Sequence, residues 1–262
     1  MFNTFFPGDC RLCSHALSNI SRLPVCQKCL ESIKPLAGSF CSICGEQLFS
    51  LTQQASPSIC GMCRRAVPAF TRAVAFGNYA GELRELLHLL KYEQVRPAAD
   101  VLGRCLAAAI QQLRPAFDQT PPLVVPVPLH ARKRRERGFN QTELIARSAI
   151  KHLAAQGMPL EISTRLLKRQ RATSSQTGLT RHQRRANLRG AFTLGHRDAI
   201  RERDILVVDD VYTTGTTISE CARLLVRGGA KRVFVATVAR VLKGEMGRVE
   251  TEAAKAVSAA AN

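Results

Sequence analysis

The sequence predicts an α/β protein: a parallel sheet covered by helices, with a small metal-stapled domain at its N-terminal end. Three observations carry this. Apolar segments 204–208 and 232–239 flank a helical stretch ending at Gly228-Gly229, and continuously apolar strands separated by a helix form a parallel βαβ unit. Four Cys-x-x-Cys pairs lie within the first 63 residues. With 262 residues, 45% of them hydrophobic, the chain can build one substantial domain and an appendage.

The elements follow in order. Residues 81–91 (GELRELLHLLK) and 98–113 read as amphipathic helices. The second places Val101, Leu102, Cys105, Leu106, Ala109, Ile110 and Leu113 on one face. Thr120-Pro121-Pro122 breaks the pattern, and 123–127 (LVVPV) reads as a strand. Residues 141–155 return to helix, and 163–190 are polar, basic and weakly patterned, as in a long loop. Strand 204–208, helix 216–227 and strand 232–239 complete the unit. The expected domains are 1–66 (cysteine-rich) and 67–242 (α/β), with an alanine-rich flexible tail at 243–262. No apolar run approaches the ~20 residues of a membrane span, so no membrane insertion is expected. The N-terminus lacks the pattern of a secretory signal, so a cytoplasmic location is expected.

Cysteines without a secretory signal suggest metal before disulfides. The pairs are Cys10/Cys13, Cys26/Cys29, Cys41/Cys44 and Cys60/Cys63. Two intervening residues let a turn aim both thiolates at one ion, and two such knuckles complete a tetrahedral shell around Zn2+. Two structural zinc sites are therefore expected, since four thiolates leave no open position for substrate. Sequential and interleaved pairings both satisfy the spacing. Metal would also supply the folding free energy that so small and apolar-poor a region lacks. Cys105 and Cys221 lie within apolar helical faces and read as inert core thiols.

The formal charge is +18, and between Arg132 and Arg189 stand 15 Lys or Arg against 3 acids. Such a one-sided field attracts polyanions, whether nucleic acid or a polyphosphate metabolite. Against that background the stretch DILVVDDVYTTGTT (204–217) is neutral to acidic. It leaves the carboxyl end of a parallel strand, where open α/β sheets bind ligands. Backbone amides of Thr213, Thr214, Gly215, Thr216 and Thr217, backed by the positive end of the next helix, form a cradle for one phosphate. Asp209 and Asp210 would repel that phosphate but can accept hydrogen bonds from sugar hydroxyls or hold Mg2+. A phosphate loop of the G-x-x-x-x-G-K-[ST] type would need a lysine after the glycine, where Thr216 stands, and a dinucleotide fingerprint would need three glycines. The competing reading is a turn and helix cap of Asp and Thr, which explains single residues but not the whole pattern.

At these residues the sequence resembles the type I phosphoribosyltransferases. The resemblance implies that Asp209 and Asp210 bind the ribose hydroxyls of 5-phosphoribosyl-1-pyrophosphate and that residues 213–217 bind its 5′-phosphate. Further segments are similar to the ComF/GntX family: Leu90-Lys91-Tyr92, Val125-Pro126-Val127-Pro128-Leu129-His130, Arg137-Gly138-Phe139-Asn140-Gln141, Arg171-Ala172-Thr173 through Gln176, Arg185, Asn187 and Ala191-Phe192. That family couples a cysteine knuckle region to a phosphoribosyltransferase-like domain and is linked to natural transformation. Arg132 and Arg137, after the second strand end, could neutralise a leaving pyrophosphate bridged by Mg2+. His130 and His182 read as structural or solvent-exposed.

Two functions are compatible with these residues. One is transfer of the phosphoribosyl group to an acceptor. The other is binding of single-stranded DNA and DNA-uptake proteins, with the pocket kept as a ligand sensor. Aromatics make up only 5% of the chain and Trp is absent, so DNA contact would be electrostatic and sequence-indifferent. The implied fold often pairs, so a homodimer is also an expectation.

Overall fold

The computed structural model describes residues 8–18, 21–48, 58–118, 120–171, 190–195 and 197–242. The expected tail, His182 and most of the basic loop lie outside them. In chain order the elements are α1 (Gln27–Ser32), α2 (Gly61–Arg65), β1 (Arg72–Asn78), α3 (Gly81–Lys91), α4 (Ala98–Gln111), β2 (Leu123–Pro126), α5 (Ala131–Arg137), α6 (Gln141–Ala155), β3 (Leu167–Arg169), β4 (Phe192–Leu194), β5 (Asp204–Tyr212), α7 (Thr216–Arg227) and β6 (Arg232–Arg240). β1, β6, β5 and β2 form one sheet in that order, parallel throughout.

The strand alternation sorts the core into two layers. Val124, Leu206, Val208, Phe234, Ala236 and Val238 face α3, α4 and α6. On the opposite face, Leu123, Val125, Ile205, Val207, Val233 and Val235 pack with Ile218, Cys221, Ala222 and Leu225 of α7. Cys105 and Cys221 are buried in these layers, in agreement with their reading as core thiols. Helices α4 and α6 meet closely at Gly103, where a Cβ would collide with Ser148. Both sheet edges are covered. The Leu36 amide donates to the Phe76 carbonyl and the Ala73 amide to the Ile43 carbonyl, each at 2.7 Å. At the far edge, Val124 pairs with Ile162 in a parallel bridge.

The cysteine-rich region is one unit used twice. Antiparallel bridges Asp9–Ala16 and Phe40–Gln47 open the two copies. The residue after the second cysteine takes a left-handed conformation in both, Ser14 at φ 56° and Gly45 at φ 69°. The third cysteine of each copy, Cys26 or Cys60, precedes α1 or α2 and donates its amide to the first sulfur, Cys10 or Cys41, at 3.3 Å. Sulfurs of Cys10, Cys13, Cys26 and Cys29 gather in one cluster, and those of Cys41, Cys44, Cys60 and Cys63 in another. The pairing is therefore sequential. Sulfur separations of 3.7 to 3.9 Å match the ~3.8 Å edge of a tetrahedron with metal–sulfur bonds of about 2.3 Å.

The electrostatics fit zinc as well. Burial works to raise the Cys10 and Cys41 thiols, yet surrounding backbone amides bring them down to about 6 and about 7. Burial and the neighbouring sulfurs push Cys29 and Cys63 up, a crowding that a divalent cation relieves. The first cluster joins the α3/α4 core layer and the second joins the α7 layer, so the two ribbons straddle the sheet.

The structure revises several expectations. β1 escapes the sequence pattern because Gly77 interrupts it; a Cβ there would strike Leu83 and crowd the Lys34 carbonyl. The stretch expected to be loop from 163 contains β3, which pairs antiparallel with β4 more than twenty residues later. The basic segment after Pro128 is helix α5, capped by His130 Nδ1, which accepts from the Arg132 amide at 3.2 Å. β5 continues to Tyr212, so the two acids belong to the strand and not to the loop after it. Elemental analysis of the purified chain should give two zinc ions. Cys13→Ser and Cys60→Ser should each retain one; loss of both ions from either single substitution would refute two independent sequential sites.

Candidate functional site

β5 delivers Asp209 and Asp210 to the carboxyl end of the sheet, and three helices converge on them. Lys91, the last residue of α3, places its ammonium 2.8 Å from Asp210 Oδ2, with both side chains largely buried. Gln141, the first residue of α6, donates to the same oxygen at 2.9 Å. Arg137, the last residue of α5, donates to Gln141 Oε1 at 2.5 Å and lies over the Tyr92 ring. Thr142 Oγ1 and the Asp210 amide donate to Asp209 Oδ1 at 3.3 and 2.9 Å. Asn140 anchors this corner: its Oδ1 caps α6 at the Thr142 amide and its Nδ2 donates to the Val127 carbonyl.

Burial would raise the Asp210 carboxyl, but the charge and hydrogen bond of Lys91, then Gln141, hold it below the usual range. Lys91 responds in the opposite sense: burial opposes its charge, and Asp210 more than offsets that. For Asp209, burial and the Asp210 charge push the carboxyl well up. Asp210 is therefore the more acidic member of the pair. It offers a strong acceptor for hydroxyls in a buried site.

The turn expected to cradle a phosphate lies beyond Tyr212. Gly215 adopts φ 70° as N-cap of α7, no side chain caps that helix, and its first turn carries no acid. Its leading amides are thus available to an anion. Thr214 and Thr216 share a 2.8 Å hydroxyl contact beside them.

Of the residues expected at the site, Asp209, Asp210 and Arg137 are joined in one network, and residues 213–217 stand at the next turn. Arg132 is turned away: its side chain is 76% exposed and pairs with Glu136 at 2.8 Å. Lys133 is also exposed, on the same helix; partial desolvation and the charges of Arg169 and Arg137 lower its pKa. For Arg169, burial lowers the pKa and the Asp209 charge works against it. Lys91, Gln141, Thr142, Lys133 and Arg169 have no site role in the sequence reading. The available signal was the Leu90-Lys91-Tyr92 and Gly138-Phe139-Asn140-Gln141 segments, which match a family pattern but name no contact.

Comparison with known proteins agrees with this architecture. Residues 1–64 match the double zinc ribbon domain model and residues 97–253 the phosphoribosyl transferase domain model. The chain is 34% identical over 239 residues to DNA utilization protein YhgH of Escherichia coli K12, covering 90% of this chain and 98% of that one. It is 29% identical over 232 residues to competence protein F of Haemophilus influenzae, with 87% and 96% covered. Among solved structures, a glutamine phosphoribosylpyrophosphate amidotransferase from Bacillus subtilis aligns at TM-score 0.32 and 22% identity, over 55% of this chain and 26% of that one. Sharing two domain models in the same order and relatives along nearly its whole length, the chain belongs to the ComF/GntX family, a double zinc ribbon joined to a phosphoribosyltransferase domain.

Proposed function

We propose that the chain binds 5-phosphoribosyl-1-pyrophosphate with Mg2+ and acts as a ComF-type phosphoribosyltransferase in the handling of incoming DNA. The observation that carries this is the end of β5: an acid pair held by Lys91, Gln141 and Thr142, followed within one turn by an uncapped, acid-free helix N-terminus at Gly215. The ribose hydroxyls would donate to Asp209 and Asp210. The amides of 213–217 would take the 5′-phosphate, and Lys91, Lys133, Arg137 and Arg169 would face the pyrophosphate. Mg2+ would neutralise charge on the departing pyrophosphate. In the transfer, the C1–oxygen bond to pyrophosphate breaks with its electron pair leaving on pyrophosphate, and an acceptor nucleophile bonds to C1. The residues named supply position and charge stabilisation, which suffices for a cation-like C1. The place in DNA uptake rests on the names of the relatives.

A second reading, direct binding of single-stranded DNA, is favoured by α5. Its sequence ARKRRER is exposed along most of its length, and the 68% exposed Tyr92 ring lies beside its last arginine. No helix among the described residues is long and apolar enough to cross a membrane.

Calorimetric titration with phosphoribosyl pyrophosphate and Mg2+ should show binding that Asp209→Asn with Asp210→Asn reduces at least about a hundredfold, as expected when two buried carboxyl acceptors, one of them ion-paired, are lost. Binding undiminished by that pair would refute the assignment. The raised Asp209 carboxyl also has a stability consequence. The folded state holds its proton more tightly than the unfolded chain, so stability declines as pH rises from about 4 through the folded value. Asp209→Asn removes that decline. Its Tm advantage over the parent should grow steadily with pH across that window, and a pH-independent difference would contradict the buried-acid account. If α5 contacts single-stranded DNA, log affinity should fall with log salt by about 0.7 per phosphate neutralised, and Arg134→Ala with Arg135→Ala should flatten the slope by about 1.4. A slope unmoved by that pair would remove α5 from the interface.

A further inference from the structure

Two buried side chains outside the candidate site connect the second ribbon to the phosphate cradle. Arg240, the last residue of β6, is 3% exposed. Its Nη1 donates to the carbonyl of Cys44 at 2.7 Å and its Nη2 to the Glu46 carboxylate at 2.6 Å. Its guanidinium lies 4.5 Å from the centre of the Tyr212 ring, on the residue paired with it across β5 and β6. Tyr212 in turn fills the space beside Gly215, where any Cβ would collide with its ring and hydroxyl. The series from Cys44 and Glu46 through Arg240 and Tyr212 to Gly215 has no break.

A buried guanidinium is held where its donors are satisfied and its charge is balanced. Its charge balance and two of its hydrogen bonds come from one short turn, while Nε has no hydrogen-bond partner among the described residues. That turn has no slack, because Gly45 is left-handed and a Cβ on it would sit 2.8 Å from the Ala73 carbonyl. Its position is set by Cys44, a ligand of the second metal centre, so the metal fixes the turn, the turn fixes Arg240, and Arg240 fixes the Tyr212 ring under the cradle. Among the described residues the first ribbon has no such connection. His15 occupies the position equivalent to Glu46 and is exposed, and that ribbon packs on the α3 side of the sheet.

We propose that Arg240 and Tyr212 are positioning residues that couple the second zinc centre to phosphate binding, so that the 213–217 loop holds an anion only while Cys44 and Glu46 are held in place. This rests on the reading of that loop as a 5′-phosphate site. The test titrates the full-length, zinc-loaded chain with ribose 5-phosphate. Glu46→Gln and Tyr212→Leu should keep two zinc ions and weaken binding about tenfold, the scale of one charge-assisted contact. Cys60→Ser, which removes the second zinc alone, should weaken it at least as much. Cys13→Ser, which removes the first zinc alone, should bind as the parent does. Equal losses from Cys13→Ser and Cys60→Ser would show general destabilisation and overturn the coupling. Parent-like binding by Glu46→Gln, Tyr212→Leu and Cys60→Ser would overturn it while leaving the phosphate reading in place. A parent chain that does not bind ribose 5-phosphate would overturn the phosphate reading and the coupling with it.

Discussion

Asp210 lies near the carboxyl end of a strand that is hydrogen-bonded on both sides, and its charge persists there because Lys91 lies 2.8 Å away. An unpaired carboxylate in that position would be neutralised by protonation. The pairing makes α3 part of the site, and Gln141, Thr142 and Arg137 bring in the ends of α6 and α5. The helices on that face of the sheet therefore do more than cover apolar strands. They end where the polar groups of β5 need partners, so fold and candidate site are satisfied by the same contacts.

The ribbons meet a second constraint. A parallel sheet needs both faces and its edges covered. Here the segments linking and forming the ribbons pair with β1, and the two cysteine clusters extend opposite core layers. A region this small contributes little apolar area of its own, and metal binding of order 10 kcal/mol per site supplies what packing cannot. The repeated bridge, left-handed turn and amide-to-sulfur bond show that both copies solve the same local problem. They differ in what they touch: the first leans on helix α3, the second reaches a strand end through Arg240.

Much of this was legible in the sequence because its causes are local. Cys-x-x-Cys spacing follows from the reach of a turn around one ion, the βαβ unit from apolar runs between a helix and its glycine stop, and the acid pair and threonine loop from their place after a strand. β1 and the β3–β4 pair were not legible. Gly77 disguises the first, serving a close approach from residue 34, and the others become strands only through partners distant in the chain. Arg132 illustrates the limit for side chains. As one arginine in a basic run it gives no sign of its partner, yet helix α5 brings it to Glu136 while Arg137, five residues on, reaches Gln141 beside the acids.

The sequence by itself determined the two four-cysteine sets, the parallel α/β core and the chemistry available at the end of β5, since each depends on residue type and short-range spacing. Tertiary structure alone decided that the cysteine sets pair sequentially, that Lys91 rather than a residue of the basic run neutralises Asp210, and that Arg240 joins Cys44 to the Tyr212 ring beside Gly215. Those contacts bridge 119 residues from Lys91 to Asp210 and 196 from Cys44 to Arg240. Burial made them obligatory: a charge removed from water must be met by whatever the fold brings within reach.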